Sequence, residues 1–158
     1  MTGFTDTDVP TLDGRVFLVT GANTGIGLET ARVMAERGAR VLLGCRSADK
    51  ADAAIASIRE TAPDAQLEHL ALDLGDLESI RSAAEHVNRE ARLDGLINNA
   101  GIMMPPLERT AQGFESQFGV NHLGPFALTA LLLPVLMATQ NARVVNTSSV
   151  AHRGGDID

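Results

Sequence analysis

The sequence predicts an α/β fold in which one parallel sheet carries helices on both faces, and three observations predict it. Short apolar runs of strand length alternate with stretches of helical period, the connections between them are short, and the first run leads directly into a glycine-rich turn that opens a helix. That turn, Thr20-Gly21-Ala22-Asn23-Thr24-Gly25-Ile26-Gly27, follows Val16-Phe17-Leu18-Val19 and precedes the helix-forming stretch Leu28 to Arg37. Its glycines let the backbone turn sharply after a buried strand and approach a ligand closely. Amides at the start of the helix then point at an anion, which the helix dipole also favours. The spacing Gly-x3-Gly-x-Gly reads as a phosphate cradle because strand, glycine turn and helix stand in the order that role needs. A plain strand-to-helix connection is the bland alternative.

In chain order, residues 1–14 are polar, with Pro10 and Gly14, and are expected to form a loose lead-in to a domain spanning 15–158. In the first helix Gly27, Ala31, Met34, Ala35 and Gly38 make a face of small residues that lies close on a sheet, with Glu29, Arg32 and Glu36 opposite. Val41-Leu42-Leu43 is the second strand, and Ser47 caps a helix with Ala51, Ala54, Ile55 and Ile58 on its apolar face. The third strand is Leu67 to Leu72, followed by a helix capped by Asp76 with Leu77, Ile80, Ala84 and Val87 on one side. Leu93 to Ile97 is the fourth strand. From Phe114 to about Met137 the pattern is helical but interrupted by Gly119, Gly124, Pro125 and Pro134. Pro125 has no amide to give the carbonyl of Asn121, so that carbonyl is expected to be open to water or a ligand. Ala142 to Thr147 is the fifth strand, ending in Ser148-Ser149.

Composition excludes several classes of function. The 158 residues carry a net charge of −7, which opposes non-specific binding to nucleic acid or anionic membranes. A single cysteine, Cys45, gives no internal disulfide and no zinc site, and the four histidines have no metal-like spacing. The N-terminus lacks the basic and apolar regions of a signal peptide. Phe126 to Ala138, the most apolar stretch, is too short to span a bilayer and contains Pro134, so a cytoplasmic protein without membrane contact is expected.

Read together, these stretches resemble the short-chain dehydrogenase/reductase family in its classical form. Thr20 to Gly27 matches the family's TGxxxGxG, Asp73-Leu74 follows the third strand, Asn98-Asn99-Ala100-Gly101 the fourth, Asn121 lies in the long helix, and Ser149 follows the fifth strand. Cys45-Arg46, Ile102-Met103-Met104 and Gly119-Val120-Asn121-His122-Leu123-Gly124 look most like its retinol-dehydrogenase-like subgroup. The resemblance implies a Rossmann-like doubly wound sheet of strand order 3-2-1-4-5. It implies a nicotinamide dinucleotide held by Gly21, Asn23, Thr24, Gly25, Ile26, Gly27, Asp73, Leu74, Asn99, Ala100 and Gly101, with Asp73 on the adenine amino group. Members that prefer NAD carry an acid where this chain has Cys45. An acid there binds ribose hydroxyls and repels a 2'-phosphate, whereas Arg46 attracts it, so NADP(H) is preferred over NAD(H). Ser149 would steady the oxygen of an alcohol or carbonyl substrate, and Asn121, through its carbonyl and a water, would support a proton relay.

One departure bears on the chemistry. The family's acid/base is a tyrosine with a lysine four residues later, and this sequence has no tyrosine and only Lys50. A general acid/base contributes typically 10²- to 10⁴-fold, so the chain alone is expected to be inactive. The match covers about the amino-terminal half of a usual member, and the sheet is expected to stop after its fifth strand. Two readings follow: the cofactor-binding half of an oxidoreductase, or a non-catalytic NADP(H)-binding remnant or partner-binding module. A bare fifth strand and an exposed face of Leu128, Leu131, Leu132 and Val135 would then favour aggregation or a homo-oligomer.

Overall fold

The structure, a computed structural model, describes residues 3–154. Nine elements alternate as predicted: β1 (Val16–Thr20), α1 (Gly25–Glu36), β2 (Arg40–Cys45), α2 (Ala48–Thr61), β3 (Leu67–Ala71), α3 (Leu77–Val87), β4 (Gly95–Asn98), α4 (Ser116–Ala138) and β5 (Arg143–Asn146). The strands form one sheet of order β3-β2-β1-β4-β5, every pair parallel. Because parallel strands all point the same way, Thr20, Cys45, Ala71, Asn98 and Asn146 end at one edge of the sheet. The polar segments that follow the strands therefore meet there, in the place where open parallel sheets bind ligands.

Two apolar layers hold the helices to the sheet. On one face Leu18, Leu42, Leu70 and Leu96 pack with α3 and α4 through Ile80, Leu128 and Leu132. On the other, Val19, Val41 and Leu43 meet α1 and α2 through Ala31, Ala35 and Ile58. Alanine and glycine on α1 bring that helix close to the strands, which is what the small-residue face required. Its outer face carries Arg32 paired with Glu29 at 2.8 Å and with Glu36 at 2.7 Å. Both expected caps form: the Ser47 hydroxyl accepts from Lys50 N at 3.3 Å and Asp76 accepts from Glu78 N at 3.0 Å. Of the lead-in, Leu12 lies in the core and its amide donates to the Arg37 carbonyl at 2.7 Å.

At the opposite edge of the sheet Asp94 fixes the starts of three strands. Its carboxylate accepts from Val16 N at 2.9 Å and from the Arg92 guanidinium, and its carbonyl accepts from Arg143 N at 2.9 Å. Burial pushes the Asp94 carboxyl up, but the Arg92 and Val16 hydrogen bonds outweigh it and hold the group below its ordinary value.

Helix α4 runs through Gly119, Gly124, Pro125 and Pro134, as the helical pattern over 114 to 137 predicts, and departs from the sequence reading in its apolar length and its exposed face. Residues Gly119–Leu123 form a π-turn in which Gly124 N donates to the Gly119 carbonyl. The helix thus runs for 23 residues and is long and apolar enough to cross a membrane by length and composition, so the argument from a short apolar stretch fails. The exposed face also differs from the predicted one. Leu128, Leu132 and Val135 are buried against α3 and the sheet, and of the predicted face only Leu131 is exposed. The other large apolar residues that α4 shows to solvent are Phe118, Phe126, Leu133 and Met137. The helix is apolar on all sides, so its own pattern does not say which side packs. Among the described residues β5 stands at the edge of the sheet, with Val145 52% exposed.

Candidate functional site

The glycine turn leaves β1 with Gly21 at φ +67° and Gly25 at φ +56°, both in the left-handed region that suits glycine. A Cβ at Gly21 would sit 3.0 Å from Ala100 Cα, and one at Gly27 would overlap the Gly21 carbonyl oxygen and stand 2.5 Å from Asn99 Nδ2. The turn and the segment after β4 therefore touch, backbone to backbone. Thr20, fully buried, ties them together. Its hydroxyl accepts from the amides of Asn99 and Ala100, both at 3.0 Å, and donates to the Ile97 carbonyl at 3.4 Å, while Asn99 Nδ2 donates to the Thr20 carbonyl at 3.0 Å.

Above this junction opens a cavity of about 300 Å³. Nine of the predicted cofactor residues line it: Gly21, Asn23, Thr24, Arg46, Asp73, Leu74, Asn99, Ala100 and Gly101. Gly25, Ile26 and Gly27 do not. They form the first turn of α1, where Gly27 packs beneath Gly21 and the Ile26 side chain is 73% exposed. The Thr24 side chain does not cap that turn, which leaves its amides available to an anion. At one rim stands Arg46, exposed and without a hydrogen bond or ion pair among the described residues. Cys45 beside it is buried, and burial pushes its thiol up to about 11, so it is a neutral wall at neutral pH. Asp73 folds back on its own turn, its Oδ1 accepting from Gly75 N at 2.8 Å.

A second cavity of about 800 Å³ adjoins the first and shares the wall Asn99–Ile102 with it. Asn121 and Ser149, the two predicted chemical residues, line this one. The Asn121 side chain is engaged as a reciprocal staple: Oδ1 accepts from Ile102 N and Nδ2 donates to Ile102 O, both at 2.8 Å. What Asn121 has left for chemistry is its carbonyl, which Pro125 deprives of its α-helical donor. Beneath lies a polar floor that the sequence did not disclose. Asn98 Nδ2 donates to Asn146 Oδ1 at 2.8 Å and to Thr129 Oγ1 at 3.1 Å, joining β4, β5 and α4 under the site. The outer wall is apolar, with Ile102, Met103, Pro125 and Phe126. His122 lines the cavity too, its ring stacked on Phe118 at 5.2 Å. Among the described residues no cluster could hold a metal ion.

A parallel α/β sheet with a glycine cradle at its first turn and polar groups gathered along one strand edge defines a dinucleotide-binding type of site. Comparison with known proteins gives the family. Residues 15–156 match the short chain dehydrogenase family, and the chain belongs to it. Human retinol dehydrogenase 12 is 53% identical over 147 residues, which is 92% of this chain and 46% of that protein. A crystal structure of a Mycobacterium Paratuberculosis protein matches with a TM-score of 0.85 and 45% identity, covering 99% of this chain and 54% of that one. A short chain dehydrogenase from Escherichia coli, solved in complex with NADPH, matches with a TM-score of 0.79 and 34% identity over 92% of this chain and 62% of that one. The chain thus spans about half the length of the curated relatives it matches, and the similarity to retinol dehydrogenases agrees with the subgroup motifs.

These relatives also correct the expected location. Retinol, for which they are named, is an apolar alcohol that partitions into lipid, and α4 is long enough to cross a membrane. The expectation of a cytoplasmic protein, drawn from the absence of a long apolar segment, is overturned.

Proposed function

We propose that this chain forms the NADP(H)-binding half of an oxidoreductase that interconverts an alcohol and its carbonyl compound. The observation that carries the reading is the pair of adjoining cavities: a cradle with an uncommitted arginine at its rim, joined through Asn99–Ile102 to a chamber lined by Asn121 and Ser149. A bound nicotinamide dinucleotide would supply the hydride donor or acceptor. In this reading the first-turn amides of α1 hold its phosphates, Asp73 and Leu74 its adenine, and Arg46 the 2'-phosphate, with the neutral Cys45 leaving that phosphate unopposed. The Asn99–Gly101 wall, held by Thr20, carries the ribose towards the second cavity. There the Ser149 hydroxyl steadies the substrate oxygen and the Asn121 carbonyl orients a water. The tyrosine and lysine that move the proton in this family have no counterpart in the 158 residues, so turnover belongs to a protein that supplies them. The exposed β5 edge and the outer face of α4 favour self-association of the 158-residue chain.

Titration calorimetry with NADPH and NADH tests the cofactor assignment. Replacing Arg46 with Asp is expected to weaken NADPH at least tenfold and to reverse the preference, since charge-assisted hydrogen bonds are the strong ones and an acid repels the phosphate. An unchanged NADPH-to-NADH ratio would remove Arg46 from the site.

A further inference from the structure

We infer that His69 is a positioning residue for the 2'-phosphate end of the cofactor cavity, because its ring anchors the carbonyl from which Arg46 departs. The inference rests on the NADP(H) reading above. His69 lies on the edge strand β3, in register with Leu43, two residues before the Cys45–Ala71 pair. From there its ring reaches along the strand and places Nε2 3.0 Å from the Cys45 carbonyl oxygen. A carbonyl only accepts, so Nε2 carries a proton and is the donor. The same oxygen takes a second hydrogen bond from Leu72 N at 3.2 Å.

The doubly held carbonyl is the last of β2, and the residue after it is Arg46. Cys45 itself is buried, with its thiol donating to the Leu43 carbonyl at 3.5 Å. On the far side of Arg46, Ser47 is fixed as the cap of α2 through Lys50 N. Arg46 is therefore a single exposed residue between two fixed points, with no hydrogen bond or ion pair of its own among the described residues to set its direction. Of those two points, the Ser47 cap belongs to any helix start, whereas the histidine bond is specific to this turn. Losing the histidine bond leaves the Cys45 carbonyl on Leu72 N alone, which loosens the Cys45–Arg46 peptide plane and lets the guanidinium swing from the cavity rim. The adenine and first-phosphate contacts are held by Asp73 and α1, and the Leu72 N bond beside Asp73 stays in place. Hence the loss falls on the cofactor that carries the 2'-phosphate.

The test is the affinity of the full chain for NADPH and NADH, measured by calorimetry alongside its melting temperature. His69→Leu keeps apolar bulk and drops the donor. It is expected to weaken NADPH about three- to tenfold, the net worth of one hydrogen bond, and to leave NADH within about twofold. His69→Gln, which returns an Nε2 donor, is expected to restore the NADPH affinity. Equal losses for both cofactors, or a wild-type ratio in the leucine variant, would overturn the inference while leaving the NADP(H) reading intact. A wild-type chain without NADPH preference, or Arg46→Asp without effect, brings down that reading and the inference with it. Should His69→Leu not fold, nitrogen NMR of the wild-type ring decides. An Nε2 that carries its proton is the expected result, and an Nε2 without one contradicts the anchor.

Discussion

Replacing Thr20 with Val is expected to destabilise the chain by about 1–3 kcal/mol and to weaken NADPH binding at least tenfold. Valine reproduces the shape of threonine in a fully buried position and removes only the hydroxyl. That hydroxyl is the acceptor for two amides, those of Asn99 and Ala100, and nothing apolar replaces it. The Asn99 amide keeps the Ile97 carbonyl at 3.0 Å, so the donor left orphaned is that of Ala100, at a cost of about 1–3 kcal/mol, and both amides belong to the wall shared by the two cavities. Strand β1 itself keeps its ladder to β2 and β4, so the fold is expected to survive with its Asn99–Ile102 segment displaced. Urea unfolding and calorimetry measure the two effects, and Thr20→Ser, which keeps the oxygen, is expected to recover most of both. A valine variant within about 0.5 kcal/mol of wild type, the range of ordinary surface substitutions, would mean that the hydroxyl holds nothing.

Gly27→Ala is expected to cost about 1–3 kcal/mol and to abolish measurable binding of either cofactor. The added methyl would overlap the Gly21 carbonyl and crowd Asn99 Nδ2, and backbone on one side leaves it no flexible neighbour to displace. Relief requires α1 to move away from β1. That shift carries the first-turn amides away from the cavity and widens the Gly21–Ala100 contact. Gly25→Ala supplies the comparison, for nothing lies within 4 Å of a Cβ there and its penalty comes from its φ of +56° alone. If Gly27→Ala binds NADPH as the wild type does, close packing of helix on turn is not what shapes the cradle.

Much of this architecture is legible in the sequence, because it rests on local signals. Apolar runs gave β1 to β5, Ser47 and Asp76 announced α2 and α3, and the small face of α1 foretold its close approach to the sheet. The parallel order then brings Arg46, Asp73, Asn99 and Ser149 to one edge without any further information. What stayed hidden joins residues far apart in the chain. The Thr20 hydroxyl serves amides 79 and 80 positions away, and the Asn98–Asn146 bond spans 48. Such polar links leave no periodic trace. Helix α4 was legible as a helix over 114 to about 137, and what stayed hidden in it is the π-turn, beside which Gly124 lies against Leu74 and Asn121 bonds Ile102. Its leucines on all sides likewise gave no guide to which face meets the core. The location went wrong through the same helix, since only Phe126 to Ala138 reads as strongly apolar, whereas the helix passes for a membrane span over its 23 residues from Ser116.

Binding to the isolated 158-residue chain tests most directly whether its strand edge is an NADP(H) site. Calorimetric titration with NADPH is expected to show one site per chain, with NADH bound at least tenfold more weakly at moderate salt. Absence of heat with both dinucleotides from a chain whose circular dichroism shows the folded α/β content, or tighter binding of NADH, would contradict it.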